Sequence, residues 1–488
     1  MKFFGPLWQP FLKLFPFFVV FMASLFHPYD PDLGWHLKYG EYFFHPPAGA
    51  GRILRENIFS TEMPNYHWVN SSWMTDLISY MTFSNFGFLG LSILGAAIIT
   101  LTFYFFSRAA RLDFFEKALT FPLLLYLLAP SNSVSFKGQL LSLLFTGMLI
   151  FFLREYEERK SKIIFLTIPL FALWSNIHGQ FILGLAILGI SIALYIAKLV
   201  TTKVDMGEIF ASSRLLAAVF LASVVAACLN PFGLNIYYEA LRHFGNPLQK
   251  YVAEWIAQEE LSISWWKHTG VGVILFVSSI FVIFSGEFFS KLTSLVVLPF
   301  YALSFFVRRY MWTSYWLATP LISPAITLVK PESRKWAEIS GSLILLIVLA
   351  LSLYLNNPFK NLSNMSWESY CVKFQNCSGG AAQFLVENKF RGEIMTFYNW
   401  GGFLIWNYPE VKPNIDGRMH LWEDEGGYSA FAYYYPIEQN IEDVDSSKYS
   451  VVLMAPYKPV YKRLRVLAAQ GKWRLAYEDK YAGVFVRN

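Results

Sequence analysis

Apolar runs of roughly twenty residues recur along this chain, parted by short charged connections. In lipid such a run satisfies its backbone only as a helix, so the pattern excludes most soluble architectures at once. A sliding window predicts about eleven spans, near 7–26, 86–106, 118–130, 139–153, 163–175, 180–197, 215–229, 269–285, 291–307, 310–329 and 337–355. Only 15% of the 488 residues are charged, against about 25% in soluble domains. The opening run lacks a small-x-small cleavage site and reads as a retained first span. The expected class is an α-helical polytopic membrane protein.

Basic residues orient it. With the N-terminus cytoplasmic, the cytoplasmic connections carry 14 lysines and arginines and the short exterior ones carry 3. Three larger pieces then fall on the exterior face: loop 27–72, loop 230–268 and tail 356–488. The domains expected are thus 1–355 in the membrane and 356–488 as an extracytoplasmic α/β domain of a plasma-membrane protein. In the tail, "GEIMTF", "KPNID", "YSVVLM", "WRLAYE" and "YAGVFVRN" read as strands, and "AAQFLVEN" and "PVYKRLRVLAAQ" as helices. Cys371 and Cys377 are close enough to pair in an oxidising compartment. The net charge of +6 includes no basic cluster interleaved with aromatics, so no nucleic-acid partner is expected. Phosphate-loop, nucleophile-elbow, zinc-protease and dinucleotide signatures are missing from the sequence.

Chemistry concentrates at the exit of the first span, "HPYDPDLGWHLKYGEYF". Pro31 biases Asp30 towards an extended conformation, in which Asp30 and Asp32 point the same way. Two close carboxylates either share a metal, here Mg or Mn, or split their pKa values into base and acid. "LGWHLKYGEYFF" predicts an interfacial helix with His36 one turn beyond Asp32 on the same face. The plain alternative is that Asp32 only caps that helix.

Four further stretches carry candidates. "WSNIHGQF" places His178 at an exterior turn, where it would bind phosphate or simply meet neighbouring carbonyls. "FFVRRYMW" sets Arg308 and Arg309 at an exterior edge against the positive-inside bias, suited to a lipid-linked phosphate or to lipid headgroups. "NWGGFLIW" supplies Trp400, a candidate for substrate, beside glycines that permit close backbone approach. "NIDGRMHLWED" supplies Asp416 and Arg418, which either line a cavity mouth or form a turn and ion pair.

Together these stretches resemble the GT-C superfamily of membrane glycosyltransferases. "DPDLGWHLKYGEY" is similar to the Asp-Pro-aromatic stretch of the oligosaccharyltransferase catalytic subunit, and closer to a bacterial GT-C-like group. That group also shows counterparts of "WSNIHG", "NPFG", "YNWGGFLIW" and "NIDGR". Where it has Glu-Trp-Leu, this chain reads "SSWMTD", with Asp76 close by. The resemblance implies a catalytic acid in the first exterior loop and a polyprenyl-phosphate-linked sugar donor.

The resulting expectation is an inverting glycosyltransferase at the exterior membrane face, acting on a glycan, lipid or protein acceptor. Asp30 or Asp32 would be its general base or metal ligand. The rivals are a lipid-linked glycan transporter or flippase and a GT-C-like scaffold that only binds glycan. Transporters concentrate ionisable residues near the midplane, whereas the acids here gather at one face.

Overall fold

The computed structural model describes residues 8–128, 135–243, 246–252, 254–257, 259–260, 262–285, 288–321, 326, 329–357, 365–390 and 392–488. The early helices are α1 (Trp8–Ala23), α2 (Leu33–Phe44), α3 (Trp73–Ala109), α4 (Phe114–Leu128), α5 (Gly138–Arg159) and α6 (Thr167–Ile177). The middle of the chain forms α7 (Phe181–Thr201), α8 (Met206–Ala226), α9 (Asn235–Leu241), α10 (Ile263–Ser285), α11 (Phe288–Phe306) and α12 (Arg309–Leu317). After α13 (Arg334–Asn356) come α14 (Trp367–Tyr370), α15 (Gly379–Asn388), α16 (Gly401–Asn407), α17 (Ala430–Glu438) and α18 (Pro459–Ala469). The strands are β1 (Glu393–Thr396), β2 (Tyr449–Met454), β3 (Trp473–Glu478) and β4 (Gly483–Arg487).

Two compact units emerge: Met1–Pro28, Leu89–Leu241 and Ala253–Leu362 form one, and Tyr29–Phe88, Arg242–Val252 and Ser363–Asn488 the other. Composition alone had suggested a division at 355/356. Instead, residues 29–88 and 242–252 join the tail. Near the boundary α3 breaks at Gly87, whose φ of 58° and ψ of −152° leave the helical region; such torsions suit glycine.

The first unit is helical. Among the described residues, five helices are long and apolar enough to cross a membrane: Trp73–Ala109, Gly138–Arg159, Phe181–Thr201, Met206–Ala226 and Arg334–Leu355. Shorter apolar helices cover Pro10–Ala23, Lys162–Ile177 and Ser294–Phe306. Hydropathy had predicted about eleven spans, but several of those runs fold as shorter pieces. Pro16, Pro122 and Pro299 lie inside α1, α4 and α11, where each removes an intrahelical hydrogen bond. Phe15, Val19, Ala118 and Leu345 pack α1, α4 and α13 together.

The second unit is built on a mixed sheet in the order β1-β2-β4-β3, with β1 parallel to β2 and the other pairs antiparallel. β2 is central because "YSVVLM" is almost wholly buried and rich in residues that suit a pleated surface. In α18, Val460, Tyr461, Leu464 and Leu467 are buried, the spacing of a helix with one apolar face. "KPNID" is not a strand. Pro413 has no N–H to give a ladder; its carbonyl accepts Thr61 N–H and that of Asn414 accepts Glu62 N–H. The loop after the first span is thereby stitched to the tail.

Candidate active site

Asp30 and Asp32 start from α2. Asp32 occupies the N-cap position in an αR conformation, yet its side chain caps nothing. The capping alternative is therefore not what the carboxylate does. Asp32 has helical torsions (φ −86°, ψ −9°) and is not extended, and Asp30 Oδ1 accepts its N–H at 3.0 Å, an Asx turn. The Tyr370 hydroxyl clamps the Asp30 backbone, accepting its N–H at 3.1 Å and donating to its carbonyl at 2.8 Å.

Glycines seat the Asp32 carboxylate. A β-carbon on Gly417 would lie 1.8 Å from Asp32 Oδ1. One on Gly34 would lie 1.9 Å from the Gly402 carbonyl oxygen, and one on Gly402 2.4 Å from that of Pro31. One on Gly401 would lie 2.5 Å from Asp416 Cβ. The glycines of "DLGWH", "NWGG" and "IDGR" thus allow α2, α16 and the 416–418 turn to meet at backbone distance.

His36 projects from α2 as predicted. Its Nδ1 lies 2.5 Å from Asp76 Oδ1, and Asp76 is fully buried. Asn70 donates to Asp76 Oδ2 at 2.6 Å, and the Trp35 ring stacks on the imidazole at 3.6 Å. Burial works against an imidazolium, but the Asp76 carboxylate, with Asp30 and Asp32 behind it, raises His36 to about 9. Desolvation first, then the Asp30 charge, raises Asp32 to about 7, with His36 opposing. Burial raises the Asp76 carboxyl as well, with His36 and Asn70 opposing, so the site pairs a carboxyl that titrates near neutrality with an imidazole that shares its proton with Asp76.

Asp416 and Arg418 do not line an open mouth; both side chains are wholly buried. Arg418 Nε and Nη2 grip the two Asp416 oxygens at 2.7 Å each. Nη2 also donates to Asn57 Oδ1 and Ser60 Oγ, both at 3.0 Å, and Ser60 donates to Asp416. Trp35, Phe59, Trp68 and Trp422 surround the guanidinium at 5.1 to 6.0 Å. Burial would raise the Asp416 carboxyl, but Arg418 holds it below the usual carboxylate range. Trp400 is buried at 1% exposure, and its indole N–H donates to the Gln375 carbonyl at 3.2 Å. It packs the core instead of presenting a face for a sugar.

The other candidates belong to the helical unit. His178 Nδ1 meets Ser142 Oγ at 3.1 Å, and that oxygen also accepts Trp174 Nε1–H. Asn176 of the same stretch donates to the Leu229 carbonyl, beside "NPFG". Arg308 Nε donates to the Ala257 carbonyl, while Arg309 pairs with Glu254 at 3.2 Å and lies over Trp255. Both arginines are engaged with the segment just before α10.

Sequence reasoning missed Tyr370, Asn57, Ser60 and Asn70, and gave Asp76 only a neighbour's place. Their partners are distant in sequence, and only Asp76, beside the stretch where the GT-C-like group carries Glu-Trp-Leu, carried a local signal. Among the described residues no three His, Cys, Asp or Glu side chains are grouped to hold a metal ion. The helical unit and the acid-bearing loop joined to a mixed domain make this a GT-C-like membrane protein in fold.

Two solved structures show that likeness. The oligosaccharyltransferase of Archaeoglobus fulgidus superposes with a TM-score of 0.52 at 10% identity, over 93% of this chain and 70% of that one. It has also been solved tethered to an acceptor peptide containing the NVT sequon. ArnT from Cupriavidus metallidurans, bound to undecaprenyl phosphate, superposes with a TM-score of 0.50 at 11% identity, over 98% and 97% of the two chains. No protein-family model matches the sequence, and no curated protein matches it.

Proposed function

We propose that the protein is a membrane glycosyltransferase that moves a sugar from a polyprenyl-phosphate-linked donor to an acceptor at the exterior face. The observation that carries this reading is Asp32: a carboxylate at a helix start that caps nothing, seated on glycine, titrating near 7. A base works best with a pKa near the working pH. The solved neighbours support the substrate class, one with an acceptor peptide and one with undecaprenyl phosphate.

In this reading Asp32 takes the proton from the acceptor's nucleophile, which attacks the anomeric carbon. The bond from that carbon to the phosphate oxygen breaks, the polyprenyl phosphate leaves, and the configuration inverts. The positive His36, held by Asp76, stabilises the departing phosphate electrostatically. A divalent cation such as Mg or Mn would find Asp30 and Asp32 but no third His, Cys, Asp or Glu grouped with them among the described residues. Arg308 remains a candidate contact for the carrier phosphate, because its described bond is to a carbonyl; Arg309 already has Glu254.

The test is release of polyprenyl phosphate, followed by mass spectrometry. Protein in nanodiscs is incubated with a panel of polyprenyl-phosphate-linked sugars and a membrane extract. Release by wild type that falls about 10²–10⁴-fold in Asp32→Asn is expected. Equal release by both proteins, or no release across the panel together with no thermal shift on adding undecaprenyl phosphate, would overturn the reading.

A further inference from the structure

A concavity lies in the tail-bearing unit. It is a groove of about 550 Å³, walled by residues 61–66 and by Tyr428, Tyr433 and Lys448, with Glu393 and Asp424 on its lining. That volume falls within the range of small-ligand pockets, about 300–1,000 Å³. Glu62 on its lining is buried, 4% exposed. Its carboxylate accepts the Tyr428 hydroxyl at 2.6 Å, the Tyr449 hydroxyl at 3.2 Å and Lys448 Nζ at 2.6 Å. These bonds fix the groove's aromatic and cationic groups in place. Tyr428 and Tyr433 remain half-buried, their ring centres 6.3 Å apart, with Lys448 Nζ over the Tyr433 ring at 5.3 Å, and each carries an apolar ring beside a polar tip.

The wall is held in an unusual shape. Met63 (φ 49°) and Asn65 (φ 61°) both sit in the left-handed region without being glycine, a cost that structures retain chiefly where a site needs it. Asn57 Nδ2 holds the Glu62 and Met63 carbonyls from behind. Asn57 Oδ1 takes the Arg418 guanidinium, so the wall hangs from the same cluster that abuts the acid motif.

We propose that this groove is a saccharide-binding subsite for an uncharged sugar. Half-buried tyrosine faces offer stacking for the C–H side of a sugar ring. Fixed carboxylate, ammonium and hydroxyl groups offer directional bonds to its hydroxyls. Glu62, Glu393 and Asp424 outnumber Lys448 on the lining, and Lys448 is already paired with Glu62. The groove therefore repels a phosphate-bearing carrier and suits the other substrate. As the acceptor's seat it rests on the transferase reading above; saccharide binding itself does not.

Saturation-transfer NMR on the full chain in nanodiscs tests it. The probes are neutral tetrasaccharides of glucose, N-acetylglucosamine, mannose and galactose, with a sulfated tetrasaccharide for contrast. Wild type is expected to bind at least one neutral probe and not the sulfated one. Tyr433→Ala should weaken that binding about tenfold, and Tyr433→Phe should restore most of it. Thr61→Trp fills the groove from an exposed position without deleting a contact, so it remains informative should Tyr433→Ala misfold. Asp32→Asn should bind the probe normally whatever it does to transfer, which separates this subsite from the catalytic proposal. The subsite is overturned by absence of any neutral binding, by equal binding of the sulfated probe, or by binding indifferent to Thr61→Trp.

Discussion

The Asp32 carboxylate rests on the α-carbon of Gly417, close enough that a β-carbon there would lie 1.8 Å from Oδ1 and 2.5 Å from Cγ. The group that would have to move is the tip of a side chain, which can swing aside cheaply. Gly417→Ala should therefore leave the melting temperature within a few degrees while lowering transfer at least about tenfold, as misplaced groups do. Gly51→Ala, where nothing lies within 4 Å, is the matched control. Unchanged turnover in Gly417→Ala would mean that the seat does not position the base.

The pH dependence has two limbs. Asp32 is raised to about 7, so its carboxylate form grows in as pH rises through that value. His36 is raised to about 9, so its positive charge is lost as pH rises through that one. Transfer should climb around pH 7 and fall around pH 9. Stability moves differently. A raised Asp32 favours the folded state fully below its ordinary value of 3.8 and loses that contribution as pH rises through about 7. The His36 contribution is complete below 6.5 and disappears through about 9. A rate profile flat from pH 6 to 8 would contradict the assignment of Asp32 as base.

Much of this was legible in the sequence because the motifs are local. The α2 helix, the position of His36, α15, α18 and β2 follow from spacing and pattern, and glycines hinted at close approach. Tertiary partners were not legible. Nothing local says that Gly34 meets Gly402, that Arg418 reaches Asn57, or that Tyr370 reaches Asp30 across 340 positions. Alternation around Pro31 misled, because Asp32 adopts helical torsions and its N–H is taken by Asp30 Oδ1 in an Asx turn. The grouping of residues 29–88 with the tail was not legible either, because the loop after the first span packs by contacts that hydropathy does not register.

Arg418 should be intolerant of neutral replacement. Arg418→Met leaves a buried Asp416 carboxylate without its bidentate partner, a loss of about 3–5 kcal/mol. Arg418→Lys keeps charge but cannot span both oxygens, so it should fall between. Asp416→Leu combined with Arg418→Met should recover much of the loss, since no lone charge remains buried. The native pair stabilises at neutral pH and weakens only as pH falls through the depressed Asp416 value, below 3.8. Denaturant melts at pH 7 decide this; additive losses in the double variant would contradict it.

If the basic-residue bias sets the topology, the tail lies outside the cytoplasm. A membrane-impermeant protease added to spheroplasts should digest the tail, which carries the bridged Cys371–Cys377 pair. Protection of the tail in intact spheroplasts, with cleavage after lysis, would reverse the orientation and remove the exterior-face assignment.

Tyr370 offers a test that separates positioning from plain structure. Its hydroxyl holds both backbone groups of Asp30, and the residue itself is fully buried beside bridged Cys371. Tyr370→Phe keeps the ring and deletes only the clamp. The Asp30 N–H then loses its partner while its carbonyl keeps the Leu33 N–H, and an unmet buried donor costs about 1–3 kcal/mol where water cannot replace it. Asp30 is half-buried, so the lower end is expected. A freed Asp30 would drift from Asp32, and the Asp30 charge is the second-largest influence raising the Asp32 pKa. The low-pH limb of the rate profile should therefore shift to more acidic values in Tyr370→Phe, with kcat falling more than KM rises. A lower melting temperature with an unmoved pH profile would show that the clamp supports the fold and does not tune the base.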